Sequence, residues 1–367
     1  MSARPCAALA LGLALLLAAL PNAAPVARAA TVRVQPDTVW IERGRGLQRI
    51  HCDFRFDHDG ADTLTLERVT VAAFDVAGRL IARRFIGSNG TAPAILTLPR
   101  REVARGRPLL VFNPFPEWDE ALPIARLRYR FELSSEARAE TLRLDVAPQE
   151  FKQRTDLILP IAGRLIVFDG HDALAHHRRF DTSFEPVARL GLTRNPGRYA
   201  CDLSIVDERG SMWRTDGRSH ADWWSWDAPL RAPGAGRVVV AINDRPDYEV
   251  GGPDLPMADI EADPYSLAGN CVVIDHGRGE FSLIAHLQKG SVLVKPGERV
   301  TQGQPIGRVG YSGSVFTVHV HYELRTGAIL NAEGLPSRFG GVDRWVGGQR
   351  VPVRDGFIDT GDILESR

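Results

Sequence analysis

Beyond Thr31 the chain has almost no helical periodicity. Its apolar and β-branched residues alternate instead, in short runs cut by Gly, Pro, Asn and Asp. Successive side chains on an extended chain point to opposite faces, so runs of this kind form strands with one buried side. A hydrophobic fraction of 44% and a charged fraction of 25% are ordinary for a globular protein. The expected class is therefore all-β, and the chain is long enough for two domains. Acidic and basic residues balance at 45 each, so no net field draws nucleic acid or an anionic surface.

The runs divide the chain. From residue 31 to 150, VRVQ, QRIHCDFRF, LERVTVAAF, RLIARRF, LLVF, ARLRYRFEL and TLRLDV are separated by Asp-Gly, Ala-Gly and Asn-Gly turns. About seven strands in ~120 residues predict an immunoglobulin-like β-sandwich. His51 and His58 in this part are read as structural. A second all-β domain is expected over 151–330. Its strands are expected in LPIAGRLIVFDG, with a turn, in RYACDLSIVD and RVVVAIND, and in the hairpin NCVVIDHGRGEFSLIAHL. A tail over 331–367 carries VPV and GFID, expected as edge strands. The rings of Trp223, Trp224 and Trp226 have two readings: the wall of a substrate groove, or a plug between the two domains.

Residues 1–30 differ from the rest. Arg4 precedes an unbroken apolar run from Ala7 to Leu20, followed by Pro21 and the small-x-small site Ala27-Arg28-Ala29. This predicts a secretory signal peptide and an exported protein, periplasmic or extracellular, with membrane attachment only if the segment is retained. The run is short of the ~20 residues that span a bilayer. Cys6 precedes the run, which argues against a lipid anchor. Cys52, Cys201 and Cys271 make no C-x-x-C pattern, so buried single thiols are expected over a Cys201–Cys271 bridge.

The chemistry concentrates in YSGSVFTVHVHYEL, Tyr311 to Leu324. On a strand beginning at Val318, His319 and His321 share a face with Glu323 behind them, while Val318, Val320 and Tyr322 turn to a core. Two imidazoles roughly 6–7 Å apart at Cα suit one metal ligand and one acid/base group. A hydrolytic zinc site needs three protein ligands and an open position for water. Asp202 lies between apolar neighbours on RYACDLSI, opposite Cys201 and Leu203, where a carboxylate is costly unless a cation pairs with it. His176 and His177 are adjacent and face apart if extended, so one of them at most serves the same metal. In SLIAHL, His286 shares a face with Ile284, while Leu283, Ala285 and Leu287 pack the other way. His171 and His276 sit beside Asp172 and Asp275 in expected turns and are read as structural.

In order along the chain, APGAGRVV, AGNCVVIDHG, AHLQKGSVLVKPGERVTQGQPIGRVGYSG and HVHYEL resemble the lysostaphin/LytM-type zinc metallopeptidases, which cut peptide bonds in peptidoglycan. The resemblance runs over roughly Leu159 to Leu324 and implies a LytM-type antiparallel β-sheet peptidase domain. It implies zinc ligands His177, Asp202 and His321, and catalytic histidines His286 and His319. Family members commonly space the first two ligands His-x-x-x-Asp, which His177 and Asp181 satisfy, so Asp181 stands as the alternative to Asp202, and His176 as the alternative to His177. Val318 and Val320 replace the Pro and Leu of the family's Pro-His-Leu-His. The implied function is an exported zinc endopeptidase acting on peptidoglycan cross-links. The alternative is a LytM-like regulator without catalysis that binds and activates other cell-wall hydrolases.

Overall fold

A computed structural model describes residues 30–367, so the basic start, Cys6, the apolar run and the expected cleavage site lie outside the described residues. The regular elements of the described chain are nearly all strands, joined by turns and loops, with short helices such as Glu185–Arg189 and Met257–Ala262. Among the described residues no helix is long and apolar enough to cross a membrane.

The first part is a sandwich. A three-stranded sheet of Thr31–Gln35, Asp53–Asp57 and Leu109–Phe112 faces a five-stranded sheet built around Leu64–Phe74 and Arg126–Ser134. Alternation decides which residues meet between them. Leu127, Tyr129, Phe131 and Leu133 are buried while Arg128 and Arg130 are exposed. Phe54 stands 4.5 Å from the ring of Tyr129, and Phe56 stands 5.0 Å edge-on to Phe131. Phe54 is 0% exposed, so Phe54→Ala leaves a void in close-packed aromatics. It is expected to cost about 3–5 kcal/mol, read as a lowered denaturant midpoint at unchanged slope.

The expected run QRIHCDFRF divides. Leu47–Ile50 and Asp53–Asp57 pair in different sheets. At the break, Asn113 takes over the orphaned backbone groups: its Nδ2 donates to the Ile50 carbonyl at 3.2 Å and its backbone N–H to that of Cys52 at 3.3 Å.

The second part is one eleven-stranded sheet. At its centre, Asn270–Asp275, Phe281–Leu287, Val320–Arg325, Cys201–Ile205 and Gly163–Asp169 follow one another in that order, all antiparallel. One face carries the main core, with Leu165, Leu203, Ile284, Val320, Tyr322 and Leu324 among its members. The other face is open around His321 and Asp202. The tail completes the sheet. Ile363–Ser366 lies between Gly163–Asp169 and Val342–Val346, and Gln349–Pro352, which contains Val351 and Pro352, is an edge. The GFID segment is not a strand; the pairing falls to ILES instead. Cys52, Cys201 and Cys271 are free and buried.

Buried charges join the two parts. Asp53 receives Arg178 and Arg198, Glu42 meets His171 at 2.9 Å, and Arg49 meets Asp359 at 2.7 Å. Charges this deep are tolerated only when each has its counter-charge.

Candidate metal centre

Asp202 and His321 lie directly opposite each other on neighbouring strands. Their flanking residues Cys201, Leu203, Val320 and Tyr322 belong to the main core. The pleat therefore drives both polar side chains to the open face. Asp202 is 1% exposed. Its Oδ1 lies 2.9 Å from His321 Nδ1, and both carboxylate oxygens lie 3.2 Å from His177 Nε2. His321 Nδ1 and His177 Nε2 are themselves 3.1 Å apart. Donor atoms of these three residues all lie within 4.8 Å of one another. Ligands bound about 2.0–2.1 Å from a tetrahedral ion stand roughly 3.3–3.4 Å apart, so the separations suit a single small cation.

The sequence expectations fare unevenly at the first ligand position. His176 and His177 lie in a turn, not an extended segment, and their rings are 3.8 Å apart. Asp169 shapes that turn by accepting the backbone N–H of both, at 3.0 and 3.2 Å. Asn195 Nδ2 donates to the His177 carbonyl at 2.9 Å. His177 is nearer than His176 to Asp202, whose Oδ2 lies 3.9 Å from His176 Nε2. His176 instead meets Asp169 at 3.1 Å, and a second donor group, Asp169, His176 and His177, results. Asp181 is engaged elsewhere, accepting from Arg100 and Ser183.

Glu323 sits on the far side of His321 from Asp202, with His321 Nε2 2.9 Å from its Oε1. A carboxylate only accepts, so Nε2 donates to Glu323 and Nδ1 to Asp202 Oδ1; loss of the Nδ1 proton frees a lone pair for a cation. Arg325 supports Glu323 at 3.3 Å. Burial alone would depress His321, but hydrogen bonds to Asp202 and Glu323 raise its pKa to about 10. Burial opposes ionisation of Asp202, and the facing His319 and His177 outweigh it, holding the carboxyl well below its usual range. The cluster thus favours positive charge at the point where its donors meet.

His319 and His286 flank that point. His319 lies just before the strand, which begins at Val320 and not at Val318. Its Nδ1 donates to the Thr317 carbonyl at 2.8 Å, and its Nε2 lies 3.4 Å from Asp202 Oδ1.

The face expected for His286 is wrong. Its backbone takes φ 64°, a left-handed conformation that breaks the alternation of the strand. Leu287 consequently joins Ile284 in the main core, while Leu283 and Ala285 belong to a second cluster on the site side. The His286 ring reaches 4.9 Å from His319 and 5.7 Å from His321. The strained conformation is over-determined. His286 N–H donates to the Ala268 carbonyl at 3.0 Å, and its carbonyl accepts from Gly310 at 2.9 Å. Nδ1 donates to the Ser312 carbonyl at 2.9 Å, which leaves Nε2 as an acceptor. Ser312 comes this close because two backbones touch: a Cβ on Gly269 would stand 2.4 Å from the Ser312 carbonyl carbon. Burial, with His319 and His321 alongside, pushes His286 well below the usual imidazole range.

His177, Asp202, His286, His319, His321 and Glu323 line one cavity of about 290 Å³, walled on its apolar sides by Phe180, Leu192, Leu267, Phe316 and Leu330. The tryptophans fit neither expected place. Trp223 is in the main core 5.0 Å from Trp213, Trp226 stacks on His220 at 4.2 Å, and Trp224 lies under Arg214. None of them lines this cavity. His51, His58, His171 and His276 lie among structural partners, including Glu42, Asp62 and Ser282.

Residues 225–332 match the model for Peptidase family M23. The match contains His286, His319 and His321, and begins after His177 and Asp202. Over 61 residues the chain is 49% identical to Peptidoglycan DD-endopeptidase ShyA of Vibrio cholerae, covering 17% of this chain and 13% of that relative. Over 57 residues it is 42% identical to Murein hydrolase activator EnvC of Escherichia coli, covering 16% of this chain and 13% of that relative. The catalytic domain of lysostaphin from Staphylococcus simulans aligns with a TM-score of 0.24 at 20% identity, over 39% of this chain and 80% of that one.

Proposed function

We propose that this chain, which carries a peptidase family M23 domain over residues 225–332, is an exported zinc-dependent endopeptidase that hydrolyses peptide bonds of peptidoglycan in the periplasm or outside the cell. The observation that carries the reading is the convergence of His177, Asp202 and His321 with donor atoms within 4.8 Å of one another. Two imidazoles and one carboxylate are a hydrolytic zinc donor set, and Glu323 behind His321 is the supporting carboxylate that such ligands use. When bound there, zinc supplies Lewis acidity and brings the pKa of a water toward ~7.

The chain's own residues supply the proton traffic. His319, oriented by the Nδ1–H bond to the Thr317 carbonyl, presents Nε2 to take a proton from the attacking water and pass it to the departing amine. Neutral His286 offers Nε2 as an acceptor to the same water. Phe180, Leu192, Phe316 and Leu330 keep bulk water off the reacting atoms.

The similarity to a murein hydrolase activator favours a second reading, a regulator that binds wall hydrolases without catalysis. The complete donor set and both flanking histidines support the enzyme instead. Metal analysis and product analysis decide between them. About one zinc per chain, with new amino termini released from purified peptidoglycan, is expected. Zinc-free protein that releases nothing even with zinc supplied would leave the regulator.

A further inference from the structure

We propose that the N-terminal β-sandwich is a working part of the metal centre, clamping the segment after His177 through Asp53 so that His177 and Asp202 are held at ligand distance. This rests on the zinc reading above.

From within its own part of the chain, the segment carrying His177 is held by Asp169 and Asn195 and contains no strand. Between Gly163–Asp169 and the short helix Glu185–Arg189 it forms only turns. The sandwich grips it at five residues between Arg178 and Ser183. Arg178 Nη1 donates to Asp53 Oδ1 at 2.9 Å and Nη2 to the Cys52 carbonyl at 3.0 Å. The Arg179 guanidinium lies over the Phe112 ring at 4.7 Å. Arg100 Nη2 donates to Asp181 Oδ2 at 2.6 Å and to Ser183 Oγ at 3.0 Å. Thr182 Oγ1 reaches Gln35 Oε1 at 3.4 Å.

Asp53 does more than anchor one loop. Its second oxygen takes Nη1 of Arg198, whose Nε bonds Glu333. Arg198 lies four residues before Asp202, and Arg178 directly follows His177. One carboxylate of the sandwich therefore ties together the two segments that bring the first two ligands. Asp53, Arg178 and Arg198 are each 2% exposed, so water does not compete for these bonds. Metal affinity is sensitive to such support, because donors must stay within about 0.5 Å of their working positions. Loss of a supporting contact typically weakens metal binding about 10–100-fold.

The test uses the full chain, stripped of metal and titrated with zinc against a chromophoric chelator. Asp53→Asn is expected to weaken zinc binding about 10–100-fold, while kcat at saturating zinc stays near wild type. Arg49→Gln cuts the Arg49–Asp359 pair of the same interface, which makes none of the contacts to Arg178–Ser183 given above, and is expected to leave zinc affinity unchanged. Arg100→Ala removes a tie whose arginine side chain is 47% exposed and is expected to weaken binding about two- to fivefold. If Asp53→Asn does not fold, Arg100→Ala against Arg49→Gln decides alone. Zinc affinity unchanged in Asp53→Asn and Arg100→Ala, or lost equally in Arg49→Gln, overturns the clamp and leaves the zinc reading standing. A wild-type chain that takes up no zinc overturns both.

Discussion

Replacing His321 with alanine is expected to leave a folded protein that retains little zinc and has lost peptide hydrolysis. Zinc activation is worth several kcal/mol of transition-state charge stabilisation. At about 1.4 kcal/mol per factor of ten, the loss is about 10³-fold or more. The reason is local. His321 Nδ1 meets both Asp202 and His177, at 2.9 and 3.1 Å, so removing it takes one ligand and the contact that holds the other two in line. The fold is expected to survive because the neighbours Val320 and Tyr322, both 0% exposed, anchor the strand from its other face. Glu323 keeps Arg325 as counter-charge. Zinc per chain and the release of amino termini from peptidoglycan are the readouts, with circular dichroism as the check on folding. Wild-type turnover by the variant would reject the assignment of His321.

The comparison of sequence with structure has a physical pattern. Strand parity placed Asp202 opposite Cys201 and Leu203, and placed His321 opposite Val320 and Tyr322. Both hold, because the core fixes which way each strand faces. Parity fails at His286, where one left-handed residue turns its own ring to the site and Leu287 to the main core. No local residue type announces that flip; it follows from Gly269 and Ser312 meeting backbone to backbone, 43 residues apart in the chain. The choice between Asp181 and Asp202 was equally non-local. The literal His-x-x-x-Asp spacing is present, but Asp181 is held by Arg100 from the other part of the chain. His176 and His177 were separated by assuming an extended backbone, which Asp169 prevents by gathering both amides into a turn. GFID reads as a strand by composition, yet the neighbouring ILES has the free edge to pair with. Where an outcome depends on what one segment meets far along the chain, the local pattern carries no information about it.

The counterpart of His321→Ala is His319→Ala, and the two variants are expected to fail in different ways. His319 lies on the same face and its Nε2 comes within 3.4 Å of Asp202 Oδ1, but it is not among the three residues whose donors converge. A residue that moves protons without holding the metal contributes to the transition state and not to zinc retention. His319→Ala is therefore expected to keep about one zinc per chain, with KM little changed, while kcat falls about 10²–10⁴-fold. Packing should tolerate the change, because Thr317, which loses the Nδ1 donor, lies in a loop beside the cavity where water can replace the bond. Glutamine at 319 separates size from chemistry: it fills much of the ring's space but cannot take up a proton, so it should be as slow as alanine. If His319→Ala instead loses zinc in step with activity, the ring is a fourth ligand. The position needed for the attacking water is then filled by the protein, and hydrolysis by this arrangement is excluded.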